Sequence, residues 1–321
     1  MEMVGESSDL DISTIVCAYS DERWQDLTAA IRSLQMQSTL PTEIIVVIDH
    51  NPRLLDRVRN ELPGVIAIEN EEERGLSGAR NTGVRRSRSP IIAFLDDDAT
   101  ADQHWLAFLA AAYSDLRVMG TGGSIEPVWV EGRPRWFPDE FDWVVGCTYR
   151  GLPSEPATLR NLIGANMSFR REVFDAVGGF RTGVGRIGVL PMGCEETELC
   201  IRAGNRWPNQ VFLYEPAARV YHRVPPARGR WRYFRSRSYA EGLSKAQIAA
   251  MVGAVDGLST EWKYALWTLP SGILRNLRQA IVRRDLAAAG RAAAIIAGFT
   301  MTTIGYLTGR FGRRLTAARS V

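Results

Sequence analysis

Ile91-Ile92-Ala93-Phe94-Leu95-Asp96-Asp97-Asp98 is an apolar, buried-type strand that ends in three consecutive carboxylates. Like charges on adjacent residues repel, so a strand tip of this kind calls for a cation or for open water. In an extended chain Asp96 and Asp98 point to one side and Asp97 to the other, so the alternate pair can face one divalent metal and a diphosphate. The bland alternative is a solvated acidic turn capping a helix that starts near Asp102. The flanking sequence decides between them.

Upstream, strands and helices alternate. A β-branched run, Asp11–Ala18, precedes a helical pattern through Leu27, Ile31 and Leu34. Strand Glu43–Ile48 ends at Asp49 and is followed by helix Arg53–Leu62, then by strand Val65–Glu69. Gly75–Arg86 reads as a loop and a helix with small residues at Gly78, Ala79 and Gly83. Such alternation predicts an α/β fold with a mainly parallel central sheet, which binds ligands at the carboxyl ends of its strands. Tyr19, Asp49, Gly75 and the Asp96–Asp98 tip then share one edge, long enough for one nucleotide. The first strand is followed by neither Gly-x-Gly-x-x-Gly nor Gly-x-x-x-x-Gly-Lys, which argues against a dinucleotide or P-loop enzyme.

With 321 residues and 45% apolar content, the chain buries a sizeable core and is not a disordered protein. Cys17, Cys147, Cys194 and Cys200 form no Cys-x-x-Cys pair, and only three histidines are present, so a structural zinc site is not expected and a reducing cytosolic setting fits. Met1–Asp11 is acidic and polar, without the apolar core of a signal peptide, so the catalytic part is expected to stay in the cytoplasm.

The net charge of +3 conceals an asymmetry. From Lys263 onward ten Lys or Arg stand against one acid, Asp285, so the tail carries about +9 and the preceding residues about −6. A basic tail on an acidic body suits a polyanionic partner. Ala292–Gly309 is uncharged for 18 residues between Arg291 and Arg310, which favours lipid over nucleic acid. Thr300, Thr302, Thr303 and the interspersed glycines weaken a spanning reading, so peripheral attachment to the cytoplasmic face of the membrane is expected, with Trp262, Tyr264 and Trp267 at the headgroup boundary. A helical hairpin packed on the protein itself is the competing reading of the same residues.

After Gly120 the periodicity lapses into aromatics, prolines and glycines, among them Trp136 and Trp143, which suggests a second ligand's pocket. Order resumes at Gly164-Ala165-Asn166-Met167-Ser168-Phe169, then Gly178-Gly179-Phe180, a helical stretch Glu195–Ala203, and candidate strands Val211–Tyr214 and Ala218–His222. The division expected is a disordered 1–10, a nucleotide-binding half at 11–120, a half at 121–246 that shapes a second ligand's pocket, and a helical basic region at 247–321.

Seven segments in order carry a family likeness: Ser13–Ser20, Glu43–Asp49, Arg74–Gly83, Phe94–Asp98, Gly164-Ala165-Asn166, Gly178-Gly179-Phe180 and Glu195-Glu196-Thr197-Glu198-Leu199. From about Asp11 to Ala246 the chain resembles the family 2 glycosyltransferases, inverting enzymes with a nucleotide-diphospho-sugar-binding GT-A fold. The resemblance implies a metal-dependent hexosyltransferase that uses Mg²⁺ or Mn²⁺. It would move a sugar from a nucleotide-diphosphate donor to a hydroxyl or phosphate acceptor, lipid-linked or in cell-envelope glycan synthesis.

By the same resemblance Ala18, Tyr19 and Glu22 lie near the base and ribose, Asp49 at the base edge, and Arg80 against the base or diphosphate. Gly75, Asp97, Asn166 and Arg228 join the substrate site. Asp96 faces the ribose or sugar, and Asp98 ligates the metal with Asp96 and His222. The family pattern places the catalytic base in a Glu-Asp pair; this chain has Glu195-Glu196, which makes Glu196 the expected base, with Glu195 and Glu198 as competitors. Self-association is left open. A non-catalytic nucleotide-sugar-binding protein of this fold is disfavoured by the retained Asp96, Asp98 and Glu196. A sugar-phosphate nucleotidyltransferase is disfavoured by the lack of a glycine-rich basic loop at Cys17–Glu22.

Overall fold

The structure is a computed structural model and describes residues 10–183, 193–253 and 261–317, the last six as backbone only. All but one residue of the expected disordered terminus, and the basic residues Arg313, Arg314 and Arg319 as side chains, lie outside the described residues. Among the described residues nine strands form one sheet: β1 Ile12–Ala18, β2 Glu43–Ile48, β3 Ile66–Glu69, β4 Ile91–Asp96, β5 Ala99–Ala101, β6 Val118–Trp129, β7 Ala157–Leu159, β8 Asn166–Arg170 and β9 Val211–Val224. Their order is β3-β2-β1-β4-β8-β6-β9-β5, with β7 also on β9.

The first four strands are parallel, as their continuous apolar runs require: both faces of β1, β2 and β4 are covered. Helices α1 (Trp24–Gln35) and α2 (Pro52–Glu61) cover one face; α3 (Leu76–Arg86) covers the other. Asn51 caps α2 by accepting from the Leu54 N–H at 3.1 Å, with a proline in the first turn. Beyond β4 the sheet turns antiparallel through β8, which pairs with β4 and β6. The segments read as two final strands are one, β9, which runs parallel to β6 and antiparallel to β5 and β7.

The acid triplet does not stay extended. β4 stops at Asp96, and the chain turns at Asp97 and Asp98 so that Ala99 can pair with His222 of β9. The Arg223 N–H donates to the Asp98 carbonyl at 2.8 Å and fixes this turn. The alternation expected of Asp96, Asp97 and Asp98 is therefore replaced by a turn, because pairing with a distant strand outweighs local extension. The helix expected from Asp102 begins as α4, Trp105–Ala112.

In the second half, α5 (Arg171–Val177) and α6 (Glu195–Arg206) precede β9, and α7 (Trp231–Val252) follows it. A helical segment through Tyr264–Thr268, then α8 (Leu269–Val282) and α9 (Leu286–Ala317), complete the chain. The boundary expected at residue 246 falls inside α7. The C-terminal helical region packs on the rest of the protein: Leu269, Ala294 and Ile295 belong to the same buried cluster as Phe141 and Phe234. Helices α7 and α9 meet backbone to backbone, since a Cβ on Gly242 would lie 2.0 Å from the Thr302 carbonyl and one on Gly305 2.1 Å from that of Tyr239. The glycines that argued against a spanning helix are the contact surface of a packed one.

Candidate active site

A cavity of about 1290 Å³ opens along the carboxyl edge of β1 and β4 and continues under the C-terminal helices. Ala18, Tyr19, Asp49, Gly75, Arg80, Asp96, Asp97, Asp98, Glu195, Glu196, His222 and Arg228 all line it. One ligand atom each from Asp96, Asp98 and His222 lies within 4.8 Å of the others. Two carboxylates and an imidazole form a hard, mixed O/N donor set that suits Mn²⁺ or Mg²⁺ better than a thiophilic ion.

Basic side chains surround the acids. His222 Nε2 lies 3.0 Å from Asp98 Oδ1, Arg228 donates to Asp98 Oδ2 at 3.3 Å, and Arg23 reaches Asp97 Oδ1 at 2.8 Å and Asp98 Oδ2 at 3.3 Å. Burial alone would raise the Asp98 pKa, but the His222 hydrogen bond and the Arg228 and Arg23 charges hold it well below the usual carboxylate range. Asp97 goes the other way: burial, aided by repulsion from Asp98 and Asp96, outweighs Arg23 and pushes it up to about 7. Its Oδ2 is buried with no hydrogen-bond partner. Adjacent acids are thus shifted in opposite directions because each meets a different set of neighbours.

Arg80 is buried between two carboxylates. It donates to Glu195 Oε1 at 2.8 Å, to the Gly164 carbonyl at 3.1 Å and more loosely to Asp96 Oδ1 at 3.4 Å, with Phe94 and Phe180 against its guanidinium. Burial lowers its pKa, but the Glu195 and Asp96 charges more than offset this and leave it raised. A guanidinium committed in this way ties the β4 tip to the start of α6. Asp49 accepts from Asn70 Nδ2 at 2.7 Å and from the Gly75 N–H at 2.9 Å, which holds the β2 tip to the glycine that starts α3 at φ 133°.

The first turn of α6 presents three acids that differ in freedom. Glu198 is fully buried and salt-bridged to Arg181 at 3.0 Å and Arg202 at 2.8 Å, and it does not line the cavity. Glu195 is held by Arg80. Glu196 lines the cavity half-buried, and among the described residues none forms a salt bridge to it. Burial and the adjacent Glu195 charge push its pKa up to about 8. The free enzyme's kcat/KM is therefore expected to rise with pH through an acidic limb near 8, where Glu196 loses its proton. Glu195→Gln removes the neighbouring negative charge and should move that limb to lower pH; an unmoved limb would assign it to another group.

Two expected residues do not belong to the site. Asn166 is wholly buried and faces the sheet interior: Oδ1 accepts from Trp105 Nε1 at 2.8 Å, and Nδ2 donates to the carbonyls of Ser124 at 3.0 Å and Ala218 at 2.8 Å. It joins β8, β6 and β9 and has no donor left for a substrate. Asn166→Ala should cost on the order of 3 kcal/mol in denaturant unfolding by orphaning buried polar groups, with nucleotide affinity unchanged in the folded fraction. A stable variant with impaired nucleotide binding would return Asn166 to the site. Glu22 is exposed in the turn after β1 and does not line the cavity. Its neighbour Arg23 turns inward to the acids instead, a residue the sequence reading passed over although it lies just beyond the β1 tip. Trp136 packs against Phe137, Trp231 and Phe234 at 5.0–5.4 Å between ring centroids and serves the core.

A mixed sheet of this order with acids at the β4 tip, a glycine-started helix beside them and an acidic helix facing them defines a GT-A glycosyltransferase. Residues 13–178 match the glycosyl transferase family 2 signature, and the chain belongs to that family. It is 35% identical over 240 residues to the glucosyl-dolichyl phosphate glucuronosyltransferase of Haloferax volcanii, covering 74% of this chain and 76% of that one. It is 25% identical to the succinoglycan biosynthesis protein ExoM of Rhizobium meliloti, with 84% of each chain covered. The fold is shared with a mannosyltransferase of Pyrobaculum calidifontis in complex with GDP-Man and Mn²⁺, at a TM-score of 0.56 and 16% identity, over 91% of this chain and 86% of that one.

Proposed function

We propose that this glycosyltransferase moves a sugar, with inversion, from a nucleoside-diphosphate donor to a hydroxyl of a lipid-linked acceptor at a membrane surface. One observation carries the reading: the cavity that begins at the acids of β4 passes Glu196 and continues to Phe299, Thr302 and Tyr306 of α9. Donor chemistry and apolar helices thus share one volume. The Haloferax volcanii relative, named for a dolichyl phosphate substrate, supports the same acceptor class.

In this reading Tyr19 and Asp49 border the nucleoside, and Asp96, Asp98 and His222 hold the divalent cation. The cation, when bound, offsets the charge of the departing diphosphate. Arg228 and Arg23, permanently cationic beside those acids, add to that compensation. Glu196 takes the proton of the acceptor hydroxyl, and the Arg80–Glu195 pair fixes the α6 turn that carries it. Nucleoside-diphosphate sugars offered with farnesyl-phosphate-linked glucose should yield a disaccharide of inverted anomeric configuration by NMR. Retained configuration, or transfer to water alone, would overturn the reading.

For the membrane, one helix, Leu286–Phe311, is long and apolar enough to cross a bilayer. Its small-residue face is already taken by α7, which favours lying at the surface. Trp262, Leu266, Trp267, Leu274, Ile281 and Val282 are exposed on the preceding segments, among Arg275, Arg278 and Arg283. Trp267 and Ile281 are 71% and 78% exposed, so Trp267→Glu with Ile281→Glu should leave the melting temperature unchanged and abolish co-sedimentation with anionic vesicles. Undiminished co-sedimentation would exclude this face.

A further inference from the structure

Behind the His222 ring, on the side away from the acids, lies a group with no part in the chemistry described so far. Cys147 is wholly buried, borders the cavity and places its sulfur 3.8 Å from His222 Nδ1. Its thiol hydrogen has another destination, since Sγ donates to the Val145 carbonyl, also at 3.8 Å. A thiol has one hydrogen and spare lone pairs, so toward His222 the sulfur is left as acceptor and the ring nitrogen as donor. Among the described residues Cys147 is the one hydrogen-bond partner of Nδ1.

The other ring nitrogen faces the acids. Nε2 lies 3.0 Å from Asp98 Oδ1 and 3.5 Å from Arg228 Nη1. A guanidinium only donates and an ionised carboxylate only accepts, so a proton on Nε2 suits Asp98 alone. A lone pair there suits Arg228 and a cation shared with Asp98.

We propose that Cys147 is a positioning residue for the metal centre: by accepting from Nδ1–H, it holds His222 in the tautomer whose Nε2 lone pair is free for the divalent cation. The inference rests on the metal role given to His222 above. A histidine that ligates through one nitrogen needs a partner for the N–H on the other, commonly a carboxylate or a carbonyl. Sulfur supplies that partner without a fourth carboxylate beside Asp96, Asp97 and Asp98.

Both residues arrive on fixed backbone. His222 sits in β9 opposite Ala99 of β5 and Pro127 of β6. Cys147 follows the short helix Asp139–Val145, where Gly146 at φ 83° makes the turn. The Cys147 N–H donates to the Asp142 carbonyl at 3.0 Å, and the Thr148 N–H to the Ile125 carbonyl at 3.0 Å. Arg133 in turn holds the Asp142 carboxylate at 2.8 and 3.1 Å. Cys147 also fills space in the core, and serine and alanine, similar in volume, separate the two roles: serine keeps an acceptor and alanine does not.

The test is a titration of the full chain with Mn²⁺, followed by the EPR signal of the free ion. Cys147→Ala is expected to raise the Kd for Mn²⁺ ~10-fold, with Cys147→Ser recovering most of the loss. Equal losses in the two variants, or none in either, would overturn the inference. His222→Ala and Asp98→Asn are the references. Wild-type affinity in both would remove the metal centre itself, whereas losses there with none in Cys147→Ala would remove only the role of Cys147. Long-range ¹H–¹⁵N NMR of histidine-labelled protein with Mg²⁺ reads the tautomer directly, the signals of the three histidines being assigned through His222→Gln. A proton on Nδ1 is expected; a proton on Nε2 with Nδ1 bare would overturn the inference. That spectrum is taken on the wild-type protein, so it decides even if neither Cys147 variant folds.

Discussion

Glu196→Gln is expected to lower kcat by ~10³-fold while leaving donor KM and the melting temperature near their wild-type values, because general bases commonly contribute two to four orders of magnitude. Glutamine keeps the side chain's volume and loses only the ability to accept the proton. The geometry singles out this residue. Glu198 is sealed by Arg181 and Arg202, Glu195 is held by Arg80, and Glu196 faces the cavity without a salt-bridge partner among the described residues. Its raised pKa points the same way: a carboxylate pushed up to about 8 accepts a proton more readily than an ordinary glutamate. A fall of less than tenfold would move the role to Glu195, whose glutamine variant would then have to show the larger loss.

Asp98→Asn is expected to abolish metal-dependent stabilisation by nucleoside diphosphates, with apparent affinity for Mn²⁺ down at least ~100-fold. The measurement is the thermal shift produced by UDP, GDP, dTDP and CMP, with Mn²⁺ or Mg²⁺ and with chelator. Asp98 lies beside His222, Arg228 and Arg23, so truncation to alanine would strand three groups and confuse binding with folding. Asparagine keeps the shape and an acceptor oxygen for His222. A metal-dependent shift equal to wild type would remove Asp98 from the ligand set. No shift with any nucleotide in the wild type would contradict the donor site as a whole.

Much of this site was legible along the chain because the first half is locally built. Strands buried on both faces must be apolar throughout, so β1, β2 and β4 stand out as unbroken runs, and whatever polar residues end them must lie at the sheet's carboxyl edge. Tyr19, Asp49 and the acid triplet follow from that rule. Glu22 and Arg23 show its resolution: the rule marks the turn, but which residue of a short turn points inward depends on what it meets, here Asp97 and Asp98.

Asn166 misled for a related reason. A polar residue in an apolar strand signals an obligatory hydrogen-bonding partner but does not say whether that partner is a ligand or the protein. Its partners come from α4, β6 and the centre of β9, which no local pattern connects to it. The tail was ambiguous in the same way, since small residues in an apolar helix suit both a bilayer and a closely packed neighbour. The approach of Gly242 to Thr302 and of Gly305 to Tyr239 shows the close neighbour, a contact that small residues also make between helices inside a bilayer.

By itself, then, the sequence determined the α/β alternation, the edge on which acids and glycines gather, and the acidic turn that carries Glu195 and Glu196, because periodicity and strand polarity are properties of neighbouring residues. Tertiary structure alone decided which acid of each cluster is paired, which faces the cavity and which is tied down. Those outcomes depend on desolvation and on the cations Arg23, Arg80, Arg202 and Arg228, brought by folding from positions far apart in the chain.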